Sequence, residues 1–94
     1  METARPPFLK YLFVCENSRD EGKCCAPDGV RLREALKKAV KDKGLGAQIR
    51  VSRSGCLDTC ADGPNVLLLP DNVWFKHVGD ADLAAIIARA SEGV

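Results

Sequence analysis

The hydrophobic pattern changes period several times along the chain, and each change marks an element. Leu9-Lys10-Tyr11-Leu12-Phe13-Val14 is a nearly continuous apolar run with aromatic and β-branched residues, which predicts a strand buried on both faces. The polar stretch from Cys15 to Asp28 contains Gly22 and Pro27 and reads as a loop. From Val30 to Lys43 the apolar residues Leu32, Ala35, Leu36, Ala39 and Val40 recur at the spacing of one helical face. Asp28 is placed to cap that helix, Glu34 and Lys38 to pair along it, and Lys41 and Lys43 to meet the negative end of its dipole. Gly44 supplies the stop.

Gln48 to Arg53 alternates with period two, as a half-exposed edge strand does. Beyond a cysteine-bearing loop ending in Gly63-Pro64, Val66 to Leu69 is a fully apolar strand. Pro70-Asp71-Asn72 turns the chain, and Val73-Trp74-Phe75 returns antiparallel to it. Asp80 is placed to cap a last helix carrying Leu83, Ile86, Ile87 and Ala90 on one face, with Gly93 past its end. The order is β-α-β-loop-β-β-α, an α/β arrangement with a mixed four-stranded sheet, and residues 1–94 form one domain with 1–8 as a flexible arm. A strand, a crossover helix and a second strand normally pair in parallel, so both strands end at the same sheet edge. The loop holding Cys24 and Cys25 and the loop holding Cys56 and Cys60 then emerge side by side, where open α/β sheets usually bind ligands.

Composition narrows the classes. The chain is 46% hydrophobic and 29% charged, with a net charge of +1. Disordered chains are poorer in apolar residues, and a strongly basic nucleic-acid binder would be far from neutrality. The longest uncharged stretch of the second half runs only from Gly63 to Pro70, against about 20 residues for a bilayer-spanning helix. Neither a nucleic acid nor a membrane is an expected partner. Five cysteines in 94 residues are the outlier. Met1 to Pro7 has no basic start leading into an apolar run, so the expected location is the cytoplasm, where clustered thiols bind metal or do redox chemistry.

Four readings of these thiols compete. Free cysteines can be small buried hydrophobes, but Cys24, Cys25, Cys56 and Cys60 fall in polar, glycine-bearing loops. A thiol–disulfide site favours Cys-x-x-Cys spacing, which is absent. Structural zinc favours closer ligand pairs than Cys15 and the Cys24-Cys25 doublet offer. A 2Fe–2S cluster takes two thiolates on each iron, so two loops can supply two ligands each.

The segment Ser54-Gly55-Cys56-Leu57-Asp58-Thr59-Cys60-Ala61-Asp62-Gly63-Pro64-Asn65-Val66, followed by Leu69-Pro70-Asp71-Asn72-Val73-Trp74-Phe75, resembles the signature of thioredoxin-like 2Fe–2S ferredoxins. Phe13-Val14-Cys15 and Cys25-Ala26-Pro27-Asp28-Gly29 fit the same family, and the resemblance spans about residues 9 to 90. It implies a thioredoxin-like fold and a 2Fe–2S cluster on two loops, with Cys15, Cys25, Cys56 and Cys60 as the cofactor-binding metal ligands. Nine residues separate Cys15 from Cys25, a shorter first loop than the family's, and Cys24 takes a position where a small residue is common. The resemblance further implies one-electron transfer without bond chemistry, so the protein is not an enzyme. Its partners would be a reductase, a hydrogenase or another oxidoreductase, and free-standing members are often homodimers. A redox or iron sensor, or a cluster-transfer protein, would use the same site. A zinc-stabilised interaction module is the remaining alternative.

His77, the one histidine, is expected at the surface or the hairpin end. One of Trp74 and Phe75 must face away from the core. The basic residues Arg31, Arg33, Lys37, Lys38, Lys41 and Lys43 read as a solvated helix face. Gly44-Leu45-Gly46 follows a helix and is no dinucleotide loop. No paired carboxylates, Ser-His arrangement or phosphate loop offers hydrolytic chemistry.

Overall fold

A computed structural model of the chain describes residues 1–16, 28–54 and 64–94. Its elements are β1 (Lys10–Cys15), α1 (Asp28–Asp42), β2 (Ile49–Ser54), β3 (Val66–Leu69), β4 (Val73–Phe75) and α2 (Leu83–Ala90), the last preceded by a 3₁₀ turn at Asp80–Asp82. One four-stranded sheet has the order β2-β1-β3-β4. β1 and β2 are parallel, with Lys10 opposite Ile49 and Cys15 opposite Ser54. β3 runs antiparallel to β1, with Val14 opposite Val66, and to β4, with Leu67 opposite Trp74. The element order and the mixed sheet are those expected.

Both helices pack on the same side of the sheet. Leu12 and Val14 of β1, Ile49 and Val51 of β2, and Val66 and Leu68 of β3 form a core with Leu32, Leu36 and Val40 of α1 and Ile86, Ile87 and Ala90 of α2. Strand periodicity turns Tyr11, Phe13, Leu67, Leu69 and Trp74 to the other side. There Tyr11 and Phe13 stack, with ring centroids 6.0 Å apart. This second face corrects the expectation that β1 is buried on both sides: Tyr11 and Phe13 are only half-buried. Among the described residues no helix covers it. Trp74 is the exposed member of the Trp74-Phe75 pair, and Phe75 packs against the core.

The helix ends also differ from the sequence reading. α1 begins at Asp28, and the side chain expected to cap it lies outside the described residues. Lys38 pairs with Asp42 at 3.0 Å, one turn onward, in place of Glu34. The C-terminal stop holds. Gly44 has φ 71°, its N–H donates to the Lys41 carbonyl and the Leu45 N–H to that of Val40, the two bonds of a Schellman closure. At the start of the last helical stretch the side chain in use belongs to Asp82, whose carboxylate accepts the Gly79 N–H at 2.8 Å. Asp80 instead pairs with Arg31 of α1.

The hairpin between β3 and β4 turns through a cis Leu69–Pro70 bond and Asn72 at φ 60°, a left-handed conformation that asparagine tolerates. Asp71 in this turn faces Lys10 and Arg89, fastening β1 and α2 at the sheet edge opposite the end of β1. Residues 1–6 carry no regular structure and are exposed, while the Phe8 ring meets Tyr11 edge-on at 5.8 Å.

Candidate metal centre

The parallel pairing of β1 and β2 brings their C-terminal ends together, because Cys15 and Ser54 are register partners. The chain therefore leaves for residues 17–27 and for residues 55–63 from adjacent points. It also returns to the same edge. The Cys15 N–H donates to the Asn65 carbonyl at 3.1 Å, and the Glu16 N–H to the Ser54 carbonyl at 3.3 Å. The start of α1 lies against the same spot: a Cβ built on Gly29 would stand 2.0 Å from the Cys15 carbonyl oxygen and 3.3 Å from the Glu16 Cα. Only a residue without a side chain permits that approach. One turn further on, Arg33 donates through Nε to both carboxylate oxygens of Glu16, at 2.9 and 3.0 Å. Glu16 is nearly buried and Arg33 partly so, a two-point, charge-assisted contact that ties the exit of β1 to α1.

Cys15 is fully buried and in no disulfide. It is the described member of the expected ligand set. Cys24, Cys25, Cys56 and Cys60 lie outside the described residues, which is why no three metal-ligating side chains gather among the described ones. What the structure does bring together is the four chain ends that bracket them, at residues 16, 28, 54 and 64. The donor chemistry fits an iron–sulfur group: a water-excluded thiol with no sulfur partner stands at the edge from which both other cysteine-bearing segments depart. His77, the one histidine, is exposed just past β4 with φ 52°.

Two residues at this edge carried no weight in the sequence reading. Asn65 is the buried polar residue of the described core, and its side-chain oxygen accepts from the Trp74 indole at 3.1 Å. Glu16 became visible only through Arg33. A charged residue directly after a cysteine at a strand end is the signal that could have flagged Glu16; Asn65 has no such neighbour.

Comparison with known proteins agrees with this architecture. No protein-family model matches the chain. It is 30% identical over 90 residues to a 2Fe–2S ferredoxin of Aquifex aeolicus, covering 90% of this chain and 81% of that protein. It is 27% identical over 81 residues to a 2Fe–2S ferredoxin of Clostridium pasteurianum, covering 82% and 79%. The thioredoxin-like 2Fe–2S ferredoxin structure from Aquifex aeolicus superimposes with a TM-score of 0.78 at 30% identity, over 92% of this chain and 88% of that one. The α/β fold with its mixed four-stranded sheet is thus the shared frame. The chain belongs to the thioredoxin-like 2Fe–2S ferredoxin family.

Proposed function

We propose that this protein is a one-electron carrier holding a 2Fe–2S cluster on Cys15, Cys25, Cys56 and Cys60. The observation that carries the reading is the buried Cys15 thiol at the edge where the segments bearing the other three cysteines begin and end. The named relatives are ferredoxins, proteins of the same function class. When bound, the cluster supplies reversible uptake of one electron. The chain's own part is to hold and to exclude. β1 is hydrogen-bonded on both sides, so the Cys15 main chain has little freedom. The Glu16–Arg33 contact and the Gly29 approach fix the first segment at its two ends, and the Asn65–Cys15 bond fixes the end of the second. Rigid ligand stems limit reorganisation as charge enters and leaves. The reading is of a carrier and not an enzyme, in line with the named relatives, which are ferredoxins.

The partner class is an oxidoreductase: a reductase that loads the electron, and a hydrogenase or similar enzyme that takes it. The proposed location is the cytoplasm, where disulfides rarely persist and clustered cysteines more often hold metal. No described helix is long and apolar enough to cross a membrane. The chain is further proposed to act as a homodimer through the side of the sheet without helices. There Phe8, Leu9, Tyr11, Phe13 and Leu69 line an open hollow of about 540 Å³, and a small domain gains core by covering such a face. Light scattering at low micromolar concentration should give twice the chain mass, and a concentration-independent monomer mass would contradict it.

The decisive experiment for the cluster is anaerobic isolation followed by metal and sulfide analysis. About two irons and two acid-labile sulfides per chain are expected, with a visible absorption band. One zinc without sulfide would overturn the reading and restore the zinc module.

A further inference from the structure

Trp74, the single tryptophan of the chain, stands on β4 opposite Leu67 and is 43% exposed. Its indole reaches along the outer face of β3 and donates to the Asn65 side-chain oxygen at 3.1 Å. Asn65 is fully buried. Its main-chain carbonyl accepts the N–H of Cys15 at 3.1 Å, and the carbonyl of Pro64, one residue earlier, accepts the Val78 N–H at 3.0 Å. The chain therefore re-enters the described fold, after the segment that carries Cys56 and Cys60, through a joint fastened at three points. One of those points is the peptide of Cys15 itself.

We propose that Trp74 is a positioning residue for the cluster, acting through Asn65. The indole bond is one of the contacts that hold Asn65, whose side-chain oxygen is too buried to find water in its place. A fixed Asn65 presents its carbonyl to Cys15 in one direction only, so Cys15 and the stem of the Cys56/Cys60 segment keep a single relative placement. Groups one step behind the ligands orient them and tune the metal, and Trp74 is such a group with half its surface open to a docking partner. The inference rests on Cys15 being a cluster ligand, as proposed above. The competing role is plain coverage, in which the ring only shields Leu67 and the β3 face.

Two substitutions separate these roles. Trp74→Phe keeps an aromatic cover and removes the donor, and Asn65→Leu keeps the volume and removes the acceptor. In the anaerobically isolated protein, both variants should show wild-type far-ultraviolet circular dichroism and wild-type iron and sulfide. Both should change the visible circular dichroism of the cluster and bleach under an iron chelator about fivefold faster, the factor expected for one lost hydrogen bond. The double variant should bleach no faster than Asn65→Leu alone, because Trp74 acts through Asn65. Wild-type bleaching rates and unchanged visible circular dichroism in both singles would overturn the proposal, as would multiplicative rates in the double variant. So would lowered melting temperatures with an unaltered cluster, the mark of coverage alone. If the wild-type protein itself lacks iron and sulfide, the cluster reading falls first and this inference with it. If the wild type is loaded and the variants match it, only this inference falls.

Discussion

Replacing Gly29 with alanine tests the close approach on which the candidate centre depends. The added Cβ would lie 2.0 Å from the Cys15 carbonyl oxygen, 3.1 Å from the Cys15 carbonyl carbon and 3.3 Å from the Glu16 Cα. All three obstacles are backbone, so no side chain can swing aside. Real Cβ contacts stay beyond 3.0 Å, which means the first turn of α1 or the end of β1 must shift by roughly an ångström. Overpacking of this kind costs about 1–3 kcal/mol. Alanine returns up to ~1 kcal/mol through its better helix propensity, leaving a net loss on the order of 1–2 kcal/mol. In a domain of this size, 1 kcal/mol moves the melting temperature by about 4–8 °C, so a drop of roughly 5–15 °C is expected. The shift acts on the peptide of a proposed ligand and one turn from the Arg33–Glu16 contact, so the visible spectrum should change as well. Gly46→Ala is the control: a Cβ there meets nothing within 4 Å, and its melting temperature should stay level or rise slightly. The assay is thermal unfolding followed in parallel by far-ultraviolet and visible signals. A Gly29→Ala protein melting at or above wild type with an unchanged spectrum would refute the packing of α1 on the exit of β1.

Cys24→Ser should keep the cluster and its spectrum, whereas Cys25→Ser should lose it or shift the spectrum by replacing a thiolate with oxygen. The reverse outcome would move the ligand by one position. Removing the iron should lower the melting temperature by at least about 10 °C, since ligand linkage of ~2.7 kcal/mol is already reached at a hundredfold excess over Kd; equal melting of the two forms would argue against a cluster that closes the two segments. Electron transfer to the physiological partner should slow between low and high salt. Residues 51–94 carry six acidic against three basic side chains, and a 2Fe–2S cluster with four thiolates adds negative charge, which draws a basic partner over about 8 Å. The effect should be moderate, because Asp71 is matched by Lys10 and Arg89 at the far edge and Asp80 by Arg31. A rate indifferent to salt would refute the steering.

The apolar periodicities of this chain, read alone, were enough for its elements and for the layer they bury. Leu32, Leu36 and Val40 recur at helical spacing, and they are the buried face of α1; Val66 to Leu69 and Val73 to Phe75 are strands with the expected bounds. Such patterns are local, since each follows from the geometry of one element and the cost of wetting its apolar side. The parallel pairing that juxtaposes Cys15 and Ser54 was also legible, because a crossover helix leaves few alternatives. Contacts between distant positions were not. Glu16 with Arg33, Asp80 with Arg31, and Lys10 with Asp71 are choices among many possible ion pairs of similar weak energy, decided only when packing sets which charges meet. The same holds for the second sheet face, which both helices leave uncovered, and for the bond from Trp74 to Asn65. Nothing in a run of Pro64-Asn65-Val66 says that its amide will be sealed from water beside Cys15. That placement requires β3 to lie between β1 and β4, and the strand order is a property of the whole chain.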